Sequence, residues 1–357
     1  MIRSCEIENF KSLKHLYLSD LKRINLFGGK NNAGKTTLLE ALFLFFDRMN
    51  PNMLIRQYNW RGVSGIAVRP DTMFAPIFYD FDLRKTIKIS IQRKLGSRET
   101  MSICFKDEMP QVFSVPVERK NLQGGSNEAV QSVLEIVYKD ESRKDKDIVH
   151  FFINVNGGFG MQIVQAKLPE VDSAYFLGAK IPFNPSETAV RYGELDIRGE
   201  SEQLLPYLQI IEPRLKGITS VAFPNGESML YGDVGLSKKV PIAYMGDGIS
   251  RLLTILLAIF YTRGGIVFID EVENGLHYSV MPKIWSIVMQ AAIDYDCQIF
   301  ATTHSYECLS NAVKGIPEHA REDFRYIRLE RSEEKIVPKS FTFSMLEAAI
   351  EQGWEVR

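Results

Sequence analysis

The stretch that decides the fold is INLFGGKNNAGKTTLLEALFLFF, residues 24–46. It opens with the short apolar run 24–27, which predicts a buried strand, and it closes with leucines and phenylalanines typical of an apolar helix surface. Between them, residues 29–36 match the pattern G-x-x-x-x-G-K-[ST] without a departure. The order strand, glycine-rich loop, helix is the context that this pattern requires. The sequence therefore predicts a phosphate-binding loop.

Each residue type of this loop suits phosphate chemistry. Glycines let successive backbone N–H groups curl around phosphate oxygens, and the helix that follows adds its positive N-terminal end. Lys35 can reach the β- and γ-phosphates, and the Thr36 hydroxyl is placed to bind magnesium. The alternative, a chance glycine-rich turn, fits less well because pattern and context agree. The predicted nucleotide contacts in the loop are Gly29, Asn31, Asn32, Ala33, Gly34, Lys35, Thr36 and Thr37.

A second apolar strand, residues 265–269, ends in the carboxylates Asp270 and Glu271. Asp270 is predicted to hold magnesium through water, and Glu271, just past the strand, to polarise the attacking water as a general base. An acidic turn after a buried strand is the structural alternative.

A third strand, residues 299–303, ends in His304 and Ser305. A parallel sheet would place His304 beside the γ-phosphate, which makes it a candidate sensor of that group. His277 has two interpretations, as a residue of the loop past the catalytic carboxylate or as a simple polar residue before a helix.

Composition limits the class of protein. Apolar residues make up 45% and charged residues 24% of 357 residues, which excludes a disordered or collagen-like chain. A formal charge of -1 means that nucleic-acid binding would need a local patch. The four cysteines include no C-x-x-C pair, which argues against a zinc ribbon and a disulfide framework. The longest apolar run is about half a membrane span, so we expect a cytoplasmic protein without a membrane segment.

The order of segments predicts an α/β fold of about two lobes. Residues 1–165 are expected to hold the phosphate-loop strand and helix and an antiparallel β lobe, with strands near 74–78, 87–91, 101–105, 133–138 and 149–153. The charged run 139–147 is expected to be a solvated hairpin loop. Residues 166–245 are expected to be a helical and loop-like insertion. Residues 246–357 return to alternating helices and strands.

Together these residues resemble the ABC-type ATPases of the SMC, RecF and OLD group. The resemblance includes the start Ile7-Glu8-Asn9-Phe10-Lys11-Ser12-Leu13 and the run Thr302-Thr303-His304-Ser305, and it covers roughly residues 1–46 and 242–310. It implies an ABC-type ATPase head, in which a mixed β lobe packs on a mostly parallel phosphate-loop core sheet with flanking helices. It also implies ATP and Mg²⁺ as cofactors.

The resemblance further implies a signature helix that contacts the nucleotide of an opposite subunit. Its candidate is the segment 245–251, where Gly248 and Ser250 are the expected contacts, although the usual Ser-Gly-Gly is Gly-Asp-Gly here. The implied partner is therefore a second copy of the chain, at least as a two-fold pair. The group also has a glutamine that contacts the metal. The sequence does not show which glutamine of the middle region this would be.

The absence of heptads and the short segment after Ser305 favour a short stand-alone member over chromosome-tethering proteins and TOPRIM nucleases. Many such members, the PARIS-type ATPase among them, are encoded beside an effector protein such as a nuclease or toxin, and by analogy the resemblance implies such a partner here. The function expected by this resemblance is an ATP-driven switch for an effector, in anti-phage defence or a toxin–antitoxin cassette.

Two other functions stay open at this point. One is a DNA-repair ATPase acting directly on DNA. Its contact surface would be a loose basic cluster, which solvated strand faces explain about as well: Arg84, Lys85, Lys88, Arg93, Lys94 and Arg98. The other is a scaffold that binds ATP without hydrolysing it.

Overall fold

The computed structural model describes residues 1–63, 65, 67–94, 96–106, 130–143, 146–154, 159–165, 173–180, 184–333 and 335–356. Its strands are β1 Ile2–Phe10, β2 Leu13–Leu18, β3 Ile24–Gly28, β4 Ile87–Arg93, β5 Arg98–Lys106, β6 Val130–Asp140, β7 Lys146–Asn154, β8 Phe159–Gln165, β9 Ala174–Leu177, β10 Gly217–Ala222, β11 Ser228–Asp233, β12 Val240–Pro241, β13 Ile266–Ile269, β14 Gln298–Thr302, β15 Phe324–Ser332 and β16 Lys335–Phe341. Its α-helices are α1 Lys35–Phe46, α2 Met53–Trp60, α3 Pro185–Ile197, α4 Leu205–Gln209, α5 Asp247–Tyr261, α6 Met281–Asp294, α7 Tyr306–Gly315 and α8 Phe343–Glu351.

The core sheet has the order β16-β15-β3-β14-β13-β9. All its strand pairs are parallel except β15 with β16. The three predicted site strands β3, β14 and β13 are neighbours, and every residue of each is buried. Because the carboxyl ends of parallel strands meet at one edge, the phosphate loop, Asp270 and His304 converge there.

The second sheet is the β lobe, with the order β2-β1-β4-β5-β6-β7-β8. Its pairs are all antiparallel, as the short alternating segments predict. α1 lies between the two sheets and is buried on almost every side: the described core on this side includes Leu38, Phe45, Ile89 and Phe268. The second core covers the opposite face of the core sheet and contains α5 and α6. The predicted α/β fold with a mostly parallel core sheet is confirmed.

Two local predictions are wrong. Residues 74–78 are not a strand: Pro70–Phe74 and Ala75–Ile77 form helical turns, and only Phe78 makes an isolated bridge, to Phe10. Pro70 and Pro76 explain this outcome, since proline suits the first positions of a helical turn and cannot donate within a sheet.

Residues 166–245 are not only helical and loop-like. Within this segment β9 completes the core sheet, and β10, β11 and β12 form a separate three-stranded sheet. The sequence did not predict β9 because this strand has only four residues, too few to show an alternation of apolar and polar side chains. The division of the chain into three units stays a prediction.

The charged run 139–147 includes the end of β6 and the start of β7 as well as the loop between them. β6 continues to Asp140, β7 begins at Lys146, and Asp147 is buried at 4% exposure, while residues 144 and 145 lie outside the described part of the chain. Its tip at 141–143 forms the expected turn.

Candidate nucleotide-binding site

The phosphate loop leaves β3 and closes onto α1. Gly29 has φ +128°, and a Cβ there would lie 2.3 Å from the carbonyl oxygen of Leu329 on β15, so only glycine fits. Gly34, the residue that precedes α1, has φ +89°, in the left-handed region that favours glycine. Asn31 and Asn32 are exposed at the tip, whereas Ala33 is buried. The loop thus presents backbone at the N-terminus of a buried helix, which suits anions.

The Lys35 side chain reaches back from the start of α1 to the beginning of the loop. Its Nζ donates to the carbonyl oxygens of Gly29 at 2.7 Å and Lys30 at 3.1 Å. Burial lowers the pKa of Lys35, while the carboxylates of Asp270, Glu271 and Glu273 act in the opposite direction. Among the described residues this half-buried ammonium is hydrogen-bonded to carbonyl oxygens alone, which phosphate oxygens can replace.

Thr36 and Asp270 meet at the edge of the sheet. The Thr36 hydroxyl donates to both carboxylate oxygens of Asp270, at 2.9 and 3.1 Å. The Thr302 hydroxyl, on the neighbouring strand, donates to Asp270 Oδ1 at 2.7 Å. Burial raises the pKa of Asp270, and these hydroxyl bonds lower it in part. A hydroxyl beside a buried carboxylate is a set of hard oxygen donors of the kind that Mg²⁺ prefers, so the residues fit the predicted metal.

Thr37 faces the opposite way from Thr36. It is buried, with its Oγ1 at 3.4 Å from the Ser12 hydroxyl and 3.5 Å from an Arg61 guanidinium nitrogen. One turn further along α1, the buried Glu40 accepts hydrogen bonds from Lys11 at 3.0 Å and from Arg61 at 2.6 and 2.7 Å. Sequence reasoning missed this cluster of Glu40, Lys11 and Arg61. A carboxylate within an apolar helix was the signal available for it.

Glu271 stands at a strained backbone position just after β13. Its φ is +49°, unusual for a residue with a side chain. The Thr302 hydroxyl oxygen accepts from its backbone N–H at 2.8 Å, and Arg251 of α5 donates to its carbonyl oxygen at 3.2 Å. Asn274 donates to its Oε2 at 3.0 Å. Thr302 and Arg251 therefore hold the backbone of Glu271, and Asn274 holds its carboxylate. Sequence reasoning missed Asn274 and the inward role of Arg251.

His304 lies beside Glu271, as the order of parallel strands predicts. Its Nδ1 is 3.8 Å from Glu271 Oε1 and 3.3 Å from Glu273 Oε1. Glu273 also accepts from the Thr303 hydroxyl and the His304 backbone N–H, at 2.9 and 3.0 Å. Glu273 thus orients the histidine; sequence reasoning did not identify it. His277 is separate: its Nδ1 is 2.8 Å from the Ser279 hydroxyl, shortly before α6.

The signature candidates lie at the start of α5. Gly246 has φ +109° and is exposed with Asp247, and Gly248 is half-buried near Val280. Ser250 is 7% exposed, and its hydroxyl donates to the carbonyl oxygens of Ile242 and Gly246. The Ser250 hydroxyl is therefore engaged within its own chain, and the nucleotide contacts of Gly248 and Ser250 stay predictions.

Comparison with known proteins identifies the family to which the chain belongs. Residues 113–310, more than half of the chain, match the family profile described as "AAA domain, putative AbiEii toxin, Type IV TA system", and residues 1–157 match the "AAA ATPase domain" profile. The chain belongs to this AAA-domain family. The resemblance to nucleotide-binding ATPases inferred from the motifs is confirmed.

Three individual proteins similar to this chain are each less than a quarter identical to it over the aligned residues. An "ATP/GTP phosphatase" of Helicobacter pylori is 24% identical over 97% of each chain. The "DNA replication and repair protein RecF" of Bacteroides thetaiotaomicron is 23% identical over 58% of this chain and 56% of its own. Among solved structures, the Smc head bound to the C-winged helix domain of ScpA aligns with a TM-score of 0.48 and 13% identity, over 98% of this chain and 99% of that chain.

Proposed function

We propose that the protein hydrolyses ATP with magnesium and uses the cycle as a switch that controls a partner effector. The observation that carries the catalytic part is the continuous set of hydrogen bonds Thr36–Asp270–Thr302–Glu271, which joins the phosphate loop to the general-base candidate. The full-length similarity to an "ATP/GTP phosphatase" supports hydrolysis rather than binding alone.

The roles of the chain's own residues follow from charge and position. The Lys35 ammonium and the loop N–H groups would bind and neutralise the β- and γ-phosphates. Thr36 and Asp270 would hold magnesium, which when bound neutralises charge on the phosphate oxygens. Glu271 would accept a proton from the attacking water, and the neighbouring His304 would detect the γ-phosphate by a hydrogen bond.

The test of the catalytic assignment is Glu271→Gln, which keeps the shape of the side chain and removes the base. We expect phosphate release to fall by roughly a hundredfold or more while ATP still binds. Glu322→Gln, the same change at an exposed carboxylate, is the matched control and should leave turnover unchanged. Undiminished turnover in Glu271→Gln would remove this residue from its role, and no phosphate release from the unmodified protein would favour the scaffold function.

Control of an effector is supported by the family description, which names a toxin–antitoxin system. We therefore propose a role in anti-phage defence or a toxin–antitoxin cassette, with a toxin or nuclease as the partner and a two-fold pair of this chain as the active form. Co-expression with the neighbouring reading frame tests this role: ATP-dependent protection or toxicity should require Lys35.

Direct action on DNA is a second candidate because a RecF protein is among the relatives. The basic cluster does not favour it. Arg84 and Lys85 both pair with Asp82, Arg93 pairs with Glu99, and Arg98 pairs with Glu6. Four of its six cations are thus partly neutralised by carboxylates. DNA affinity measured against salt concentration decides, since phosphate contacts produce a steep negative slope.

A further inference from the structure

The core sheet ends at the short strand β9, and a cavity of about 530 Å³ runs along it. The cavity is separate from the phosphate loop, whose residues do not line it. Its walls are β9 itself, the helices α1 and α2 on one face of the sheet, and α3 and α5 on the other. An edge strand beside an open cavity offers unpaired backbone groups to another chain.

The register of β9 shows which backbone groups these are. The carbonyl oxygens of Ser173 and Leu177 accept from Ile266 and Asp270, so the odd-numbered residues bond to the β13 side. In a parallel ladder successive residues bond to opposite neighbours. The N–H and C=O groups of Ala174 and Phe176 therefore point to the free edge, where no described strand pairs with them. Unpaired backbone groups of this kind are costly unless water or another strand satisfies them.

The two walls of the cavity differ in chemistry. On the α1 face, Trp60 stacks on Phe176 with ring centroids 4.1 Å apart, and Phe43 packs against both rings. On the α5 face lie Thr254 and Arg251. A strand added to β9 would place alternate side chains on these two faces.

Arg251 is the polar feature that defines the ligand. Its guanidinium reaches only the carbonyl oxygens of Asp270 and Glu271, at 3.4 and 3.2 Å, and it forms no salt bridge within the described residues. Its Nε is buried without a hydrogen-bond partner in the same part of the chain. Arg251 is half-buried. Burial lowers its pKa more than the nearby carboxylates of Glu273, Asp270 and Glu271 raise it, so an added anion would stabilise the charged guanidinium.

We propose that an extended segment of the partner effector docks in this cavity as an added strand beside β9. An apolar side chain of the segment would lie against Trp60 and Phe176, and a carboxylate side chain would lie at Arg251. Main-chain hydrogen bonds to Ala174 and Phe176 give affinity, and the two walls give specificity. This docking site rests on the proposed function in one respect, since it is the effector that supplies the segment.

The site is connected to the catalytic carboxylate. Asn274 lines the cavity and donates both to the carbonyl oxygen of Ala179, just past β9, and to Glu271 Oε2, at 3.4 and 3.0 Å. Arg251 connects the same wall to the Glu271 carbonyl. A strand bound along β9 would hold both of these groups, so docking should change the turnover number more than the KM for ATP.

The experiment measures fluorescence anisotropy of a labelled peptide of about nine residues, alternating valine and aspartate. The nucleotide-free protein is compared with three variants. Thr254→Trp fills the cavity from α5, Thr254→Val is its matched control, and Ala174→Pro removes one N–H at the free edge. We expect saturable binding to the protein and to Thr254→Val, at least about tenfold weaker binding to the other two, and a similar loss when lysine replaces aspartate in the peptide.

Three results would overturn the docking site: no saturable binding up to about 1 mM peptide, equal affinity in all variants, or indifference to the peptide's charge. Adenosine monophosphate is tested as a different kind of ligand, in the Lys35→Ala background so that the phosphate loop does not bind it. If its binding survives Ala174→Pro but is lost in Thr254→Trp, the cavity would be assigned to a small planar anion instead of a strand. Because binding is measured without nucleotide, a protein that binds the peptide but releases no phosphate would refute the ATPase function alone. The reverse result would refute the docking site alone.

Discussion

At the scale of single residues, the phosphate loop depends on one ammonium group. Replacing Lys35 by alanine removes the loop's main cationic contact with the β- and γ-phosphates, so nucleotide binding should be lost. Lys30→Ala is the control, because the Lys30 side chain is exposed and only its carbonyl oxygen bonds to Lys35. Calorimetric titration with ATP measures both. Normal ATP affinity in Lys35→Ala would mean that the nucleotide lies elsewhere.

Asp270 should be kept for function at the expense of stability. Its pKa is raised by burial, so folding favours the protonated form. The stabilising contribution of the protonated carboxyl is fully present below the pKa of an unfolded aspartate, about 3.9. It is lost as the pH rises through the higher pKa of Asp270 in the folded protein. At neutral pH the ionised carboxylate therefore destabilises the nucleotide-free protein, whereas asparagine stays neutral and still accepts hydroxyl hydrogen bonds.

We accordingly expect Asp270→Asn to raise the Tm of the nucleotide-free protein at about pH 7, with a gap that narrows toward about pH 4. The same variant should lose magnesium-dependent turnover. Thermal unfolding of both proteins across this range is the measurement. A variant that is less stable at neutral pH would show that the hydroxyl bonds of Thr36 and Thr302 outweigh the cost of burial.

Residues of the site differ in how far sequence alone could identify them. The phosphate loop, Asp270 and His304 each follow an apolar run, and parallel strands bring the ends of such runs together regardless of other detail. Asn274, Glu273 and Arg251 act through side-chain bonds from loops and from a helix of the opposite face. No local pattern encodes those bonds, because they depend on how separate elements pack.

At the scale of elements, α1 is fastened to the β1–β2 turn and to α2 by the cluster of Glu40, Lys11 and Arg61. Glu40 is fully buried, and its two cations reach it from different elements. Burial lowers the pKa of Lys11, against the effect of Glu40. Removing one charge from such a cluster leaves the others uncompensated.

Glu40→Gln should therefore lower the free energy of unfolding by about 3 kcal/mol, the scale for breaking a buried ion pair. The matched control is Glu212→Gln, since Glu212 pairs with Arg214 at the surface and should change stability by less than about 0.5 kcal/mol. Urea unfolding measures both variants. Equal midpoints would show that the cluster contributes only packing.

Elements were predictable where periodicity was long and failed where it was short. Residues 246–357 were expected to alternate between helices and strands, and α5 and α6 are present there over 15 and 14 residues. The four-residue β9 and the helical turns at 70–77 follow instead from partners and prolines. Among the described residues no helix is long and apolar enough to span a membrane.

At the scale of the whole molecule, the proposed switch requires a second copy. The exposed start of α5 at Gly246 and Asp247 follows Tyr244, which is 82% exposed. Tyr278, 63% exposed, lies two residues before Val280, and a Cβ at Gly248 would be 3.8 Å from Val280. Exposed tyrosines are typical of protein interfaces. If the phosphate loop of one copy faces the start of α5 of another copy, ATP bound between these two surfaces would link the copies. In a two-fold pair this contact would occur twice.

We expect Glu271→Gln with ATP and magnesium to form a species of twice the 40.7 kDa chain mass, because bound ATP would persist at the interface. With ADP the protein should lack this pair. Tyr244→Arg in the same background should weaken pairing by at least about tenfold while ATP still binds, and Tyr17→Arg, a half-exposed tyrosine on β2, is the control. Light scattering measures the mass. A monomer under every condition would refute the pairing, whereas a larger assembly already present without ATP would show that ATP rearranges subunits instead of joining them.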